Sequence, residues 1–224
     1  YYLEQIFLNT SSMTSDLTSW CVDDIAGRPL QFSDGASGVQ EPLWGRCPLA
    51  DDLDNVALTY QMLTPGETLE IRTHTRADGG FVAWGDGNVT PLPGNFDGTV
   101  SHTFAQAGTY QVQMGGGIRS FRSADHIGEL AGAERLISLD RFGNTDLEWV
   151  NFAGASSAFT SVPSDLPSTV VSLQSLLQRS TANPANIENW DVSNVTSLHA
   201  AFLNATQFDR DISGWNVSNV TNMH

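Results

Sequence analysis

The heptapeptide Trp190-Asp191-Val192-Ser193-Asn194-Val195-Thr196 returns 25 residues later as Trp215-Asn216-Val217-Ser218-Asn219-Val220-Thr221. A fixed period in the twenties predicts a solenoid, in which no single unit can bury its apolar face and stacked neighbours share one core. The register extends beyond the motif. Leu173, Leu198 and Met223 share one phase, and Val170, Val195 and Val220 a second. Leu177 and Phe202, Ile187 and Ile212, Trp190 and Trp215, and Val192 and Val217 form further pairs. Each row becomes a ladder of like side chains when turns stack. Within a unit, Val192, Val195 and Leu198 predict a short extended segment. Leu198, Ala201, Phe202 and Ala205 fall at helical spacing and predict about two helical turns.

The N-terminus carries the same unit. Leu3, Phe7, Leu8, Asn9, Asp16 and Trp20 match Leu198, Phe202, Leu203, Asn204, Asp211 and Trp215 at a constant offset of 195. That offset is not a multiple of 25, so two arrays flank an insert. The first array ends in a loop-rich stretch containing Gly27, Pro29, Gly35, Gly38 and Pro42, bracketed by Cys21 and Cys47. Neither cysteine belongs to a CxxC pair or to a metal-type spacing with histidine. The leading reading is a disulfide, which implies an oxidising compartment and is worth about 3 kcal/mol in the chain-entropy model. The alternative is two buried thiols. With Phe32 and Trp44, the loop would cover the end of the first array.

Between the arrays, Val56–Met62, Thr68–Thr73, Phe81–Trp84, Thr99–Phe104 and Thr109–Met114 are β-rich runs. They are separated by Pro65-Gly66, Asp78-Gly79-Gly80, Gly85-Asp86-Gly87, Pro93-Gly94 and Ala107-Gly108, which predicts a β-sandwich. Gly115-Gly116-Gly117 reads as a flexible exit from it. The whole is an α+β modular chain. Residues 1–49 form a last solenoid repeat with a disulfide-pinned cap. Residues 50–123 form an antiparallel β-sandwich. Residues 124–224 form an N-terminal cap and the first repeats of a second leucine-rich-repeat-type solenoid.

The run Phe202-Leu203-Asn204-Ala205 … Phe208-Asp209-Arg210-Asp211-Ile212-Ser213-Gly214-Trp215-Asn216-Val217-Ser218-Asn219-Val220-Thr221 resembles BspA-type leucine-rich-repeat surface proteins, over about 1–48 and 125–224. Trp84-Gly85-Asp86-Gly87 with Ser101-His102-Thr103-Phe104 and Ala107-Gly108-Thr109-Tyr110-Gln111-Val112 resembles a polycystic-kidney-disease (PKD) domain, which implies an Ig-like antiparallel β-sandwich over 50–123. The family's usual acidic residue before Gly-Asp-Gly is replaced here by Ala83-Trp84. The resemblances imply a secreted or cell-surface protein with adhesive, structural or spacer roles. Asp86 reads as a turn carboxylate and His102 as a strand-end hydrogen bonder.

The net charge is −15, and all ten basic residues are arginine. An acidic surface repels phosphate, which argues against nucleic acid and anionic lipid as partners; the absence of lysine rules out lysine catalysis in this segment. No apolar run of about 18 residues predicts a membrane span. Tyr1-Tyr2-Leu3-Glu4 reads as the start of a mature or excised segment. Nucleophile, zinc-protease, P-loop and EF-hand motifs are absent from the sequence, so no enzyme and no catalytic residue is expected. Asp51, Asp52 and Asp54 are candidate Ca²⁺ ligands at the joint before the insert, or else a solvated acidic linker. No other cofactor is expected. Sequons occur at Asn9, Asn88, Asn194, Asn204, Asn216 and Asn219; these are glycosylation candidates, or asparagines structural to the repeat. His199 and His224 share a repeat phase and read as solvated.

The expected function is a non-enzymatic extracellular structural or adhesive segment of a stalk, fibre or filament, built by solenoid stacking. Its expected partners are neighbouring copies or further modules, head to tail, with host or cell-surface proteins or glycans as further candidates. The alternative is a ligand- or carbohydrate-binding receptor module.

Overall fold

The computed structural model describes residues 14–16, 38–40, 54–125 and 128–224. Two compact units divide the chain, Tyr1–Asp52 and Leu53–His224. In the first, β1 (Thr14–Asp16) runs parallel to β2 (Gly38–Gln40), with Thr14 opposite Gly38. Cys21, Cys47, Trp20, Asn9, Asp51 and Asp52 lie outside the described residues.

The second unit begins with the insert. Its strands are β3 (Val56–Met62), β4 (Thr68–Ala83), β5 (Val89–Leu92), β6 (Asp97–Thr103) and β7 (Gly108–Arg122). Next come β8 (Ala124–Asp125), β9 (Gly128–Glu129), β10 (Leu136–Arg141) and β11 (Trp149–Asn151). β4 and β7 change partners along their length. The first half of β4 pairs with β6 and its end with β5. β7 begins against β3 and ends against β11, while pairing with β4 in both halves. A straight strand of β4's length would reach roughly 50 Å. Yet Trp84, just past its end, stacks at 5.1 Å on His102, which sits opposite Leu69 near its start. The sheet therefore doubles over. The bend falls at the register break between Thr75 and Gly80. Gly79 adopts φ +73° there, and a Cβ on it would meet the Leu92 carbonyl oxygen at 2.5 Å. The fold encloses Leu58, Tyr60, Ile71, Val82, Trp84, Phe104, Val112 and Met114, all buried.

Two sequence expectations are corrected here. Asp78-Gly79-Gly80 bends one strand instead of separating two. Gly115-Gly116-Gly117 is no flexible exit but the middle of β7, where the Asn55 and Phe81 side chains lie too close for a Cβ at Gly115.

The sheet leads directly into the repeats. β10 pairs antiparallel with β3 and bridges in parallel to Ser161; β11 pairs parallel with β7 and bridges to Ser172. From these, two columns of parallel bridges rise. One runs Ser138, Ser161, Ala185; the other runs Trp149, Ser172, Ser197, Asn222. A single hydrophobic core continues from Val56 to Trp215.

The α+β expectation is overturned. No α-helix occurs among the described residues, which are almost entirely β-sheet and turns. The helical segments among them are two 3-10 turns, Ala133–Arg135 and Ile187–Asn189. The predicted helix over Leu198–Ala205 is a chain of tight turns. Amides of Ala201, Leu203 and Ala205 donate to carbonyls three residues back, and Ala200 and Asn204 adopt φ +52° and +58°. The preceding unit repeats this with Ser175 at +59° and Arg179 at +55°. The physical reason is the use of the backbone amides. Leu176, Gln178 and Ser180 donate within the turn, while Ser175, Leu177 and Arg179 donate to His199, Ala201 and Leu203 of the next one. An α-helix would consume all of these donors internally and leave no bonds for stacking. Leu173, Leu176 and Leu177 still reach the core, because tight turns and helices both place such spacings on one side. The predicted strand through Val192 and Val195 likewise reduces to one bridge residue, Ser197, paired to Ser172 on one side and Asn222 on the other.

Candidate functional site

The repeat positions form three structural sets. Leu173, Leu177, Ile187, Trp190, Val192, Val195, Leu198 and Trp215 are buried, and Phe202, Ile212 and Val220 pack against the same core. The tryptophans tie turns together: Trp190 Nε1 donates to Pro163 O at 2.8 Å and Trp215 Nε1 to Ile187 O at 3.3 Å.

The polar part of the motif is also structural. Oδ1 of Asp191, Asp211 and Asn216 accepts the amide of the serine two residues on, at 2.9, 3.0 and 3.2 Å. Hydrogen bonds from the Ser193 and Ser213 side chains and backbone hold the Asp191 and Asp211 carboxyls below their usual range. Asn194 and Asn219 donate Nδ2 to Ser168 O and Ser193 O of the preceding turn, at 3.0 and 2.7 Å. Among the sequons, Asn204 is exposed at a left-handed turn position. Asn88 lies in the exposed turn before β5, where its amide donates to Asp86 at 3.1 Å.

At the last turn the third set opens to solvent. Val217 and Met223 are 39% and 60% exposed. With Leu198, Phe202, Ile212 and Trp215 they line an apolar hollow of about 550 Å³. Thr221 N donates to Thr196 O and Leu198 N to Asn222 O. In the same register, Thr221 O and Met223 N are where a following turn would bond.

A second hollow, of about 380 Å³, is polar. Arg72 of β4 and Arg122 of β7 form one wall, Trp149 and Asn151 of β11 the floor, and Gln174, Gln178 and His199 the far side. The Arg122 guanidinium lies 4.2 Å above the Trp149 ring. Asp97 bridges the arginines, 3.0 Å from Arg72 and 3.6 Å from Arg122. Sequence reasoning missed this groove. One signal was present: Trp149, Gln174, His199 and His224 are spaced by 25, the repeat length.

Asp86 and His102 meet as the sequence suggests. His102 Nε2 lies 2.7 Å from Asp86 Oδ2, and the ring is wedged between Trp84 and Phe104. Burial raises the Asp86 pKa, but hydrogen bonds from His102 and Asn88 outweigh it and hold the carboxyl below its usual value. Asp54 accepts the Asn144 amide on its backbone carbonyl at 3.0 Å. Among the described residues no three His, Cys, Asp or Glu side chains gather as a metal site, and no helix is long and apolar enough to cross a membrane.

The fold is an antiparallel sheet continued by stacked tight turns of a repeat. Residues 150–224, the stacked turns, match the family described as "Mycoplasma protein of unknown function, DUF285". No curated protein and no solved structure matches the chain.

Proposed function

We propose that this chain is a length of a non-enzymatic, extracellular structural or adhesive protein, elongated by stacking further turns of its own 25-residue unit on the open apolar end. The observation that carries the reading is the last turn. Its exposed Val217 and Met223 occupy phases whose counterparts Val192, Leu173 and Leu198 are covered by the following turn. An apolar surface of this kind marks an interaction site. The occupant is one more turn of the same repeat, because the unpaired Thr221 O and Met223 N continue the bonding register of Thr196 and Leu198. The sequons, the cysteine pair and the acidic surface support an extracellular setting.

Appending a copy of residues 200–224 after His224 tests this. The added turn is expected to protect the Met223 amide from hydrogen exchange, raise Tm and abolish dye binding at the hollow. An added turn that exchanges freely, with Tm unchanged, overturns the reading.

A further inference from the structure

We infer that the apolar end of one copy of this chain receives residues 5–25 of a second copy, joining the two head to tail. The inference rests on the stacking proposed above and names the turn that stacks.

Sequence register is the first argument. Residues 5–25 run in phase with residues 200–220. Set one turn above them, apolar residues meet their like: Ile6 over Ala201, Phe7 over Phe202, Leu8 over Leu203, Leu17 over Ile212, Trp20 over Trp215 and Val22 over Val217. The lower residue of every pair lines the apolar hollow. Leu203 is 51% exposed there, and a leucine above it would withdraw it from water. Residues 1–4 share the phases of residues 221–224, which already fill those places, so the contact begins at Gln5.

The backbone selects the same register. In the preceding turn Ser175 N, Leu177 N and Arg179 N donate to His199 O, Ala201 O and Leu203 O at 2.9, 2.7 and 2.8 Å. In the last turn Ala200 N donates to His224 O at 2.6 Å. The next amides of that series, Phe202 N and Asn204 N, find no acceptor among the described residues. In the register given by the side chains they face the carbonyls of Ile6 and Leu8 of the second copy. Backbone donors covered by a partner need such acceptors, so the two sets of contacts support each other.

The N-terminal unit has the geometry of a stacked turn. Thr14 pairs in parallel with Gly38, the same sequence spacing as the parallel bridge from Ser161 to Ala185. β1 and β2 are thus spaced like successive turns, with β2 in the place of the following one. Among the described residues no strand lies on the other edge of β1, where a preceding turn would sit. One end lacks its following turn and the other its preceding turn. The two surfaces are complementary and not identical, so the contact is heterologous and propagates.

Sedimentation velocity of the whole chain over a concentration series tests this, using Leu203→Asp to block the apolar end and Leu8→Asp to block the N-terminal unit. A carboxylate buried between turns opposes stacking. The parent is expected to grow with concentration into dimers and longer species. Each variant alone is expected to associate at least about tenfold more weakly. Their equimolar mixture is expected to form a dimer and nothing longer, since each variant keeps one working surface. The mixture uses only the unmutated surface of each, so misfolding of the N-terminal unit in Leu8→Asp leaves that expectation unchanged. A parent that stays monomeric, Leu8→Asp that assembles like the parent, or a mixture that stays monomeric overturns the inference. A monomeric parent whose Tm nonetheless rises with an appended turn overturns this contact and leaves the stacking reading standing. An appended turn that fails to stack removes both.

Discussion

At the scale of single residues, tight backbone approaches and charged hydrogen bonds set the largest costs. A Cβ on Gly115 would lie 1.9 Å from Asn55 Oδ1 and 2.6 Å from Phe81 Cζ. Gly115→Ala is therefore expected to lose about 1–3 kcal/mol, the range for overpacking, read as the midpoint of urea unfolding. Gly214→Ala, with open space around its Cβ, is expected to stay within about 0.5 kcal/mol. Asp86 carries the acid dependence of this region. Its folded pKa lies below the ordinary aspartate value of 3.8, so its contribution is fully present above that value and fades as the pH falls through the depressed folded pKa. Asp86→Asn should cost about 1–2 kcal/mol at neutral pH, because a charged acceptor for His102 and Asn88 is lost. It should also flatten the acid limb of Tm against pH. A limb as steep as the parent's would show that Asp86 is not the titrating group.

At the scale of elements, the stacked turns depend on residues held at positive φ. Ser175 adopts φ +59° and sends its amide to His199 O at 2.9 Å. Ser175→Pro cannot reach that φ and removes the donor, so Tm should fall by several degrees, at about 2–4 °C per kcal/mol for a chain of this size. Ser175→Gly relieves the left-handed strain and should leave Tm unchanged or slightly raised. If Ser175→Pro melted like the parent, inter-turn bonding would not be what holds the stack. The alternating bonding also explains why the element type was illegible from the residues. Leu198, Ala201, Phe202 and Ala205 satisfy a helix and a double turn equally well. The choice is made by the carbonyls of the adjoining turn, which no local window contains. Strand β3, by contrast, was readable to the residue, because Val56–Met62 is flanked by turn formers and has β-rich composition. β4 and β7 extend well beyond the runs that composition predicts. Their glycines look like punctuation in sequence, and only the doubled-over sheet turns them into hinges and close contacts.

At the scale of the unit Leu53–His224, one core joins a folded sheet to a stack of turns, and two hollows of opposite character result. The apolar hollow at the last turn was foreshadowed by the rows of Leu173, Leu198 and Met223. Loss of Met223 should show the same logic. Met223→Asp is expected to leave the parent's Tm nearly unchanged, since Met223 is 60% exposed, but to destroy the stabilisation conferred by an appended turn. A Tm gain from the appended turn that survives Met223→Asp would place the contact elsewhere. The polar groove was not foreshadowed as a whole. Arg72 and Arg122 belong to the sheet, and Gln174, Gln178 and His199 to the repeat. Only the pairing of β7 with β11 places Arg122 opposite Asn151.

By itself, the sequence determined the repeat length, the phase of its apolar rows and the alternation of strand and turn in the insert. Those follow from local periodicity, which needs no knowledge of neighbours. The tertiary structure alone decided that the units are turns rather than helices, that the glycine runs bend and pack strands, and that a groove exists. Each of these depends on which backbone groups and side chains meet across long stretches of chain, and hydrogen-bond partners of that kind are chosen in three dimensions.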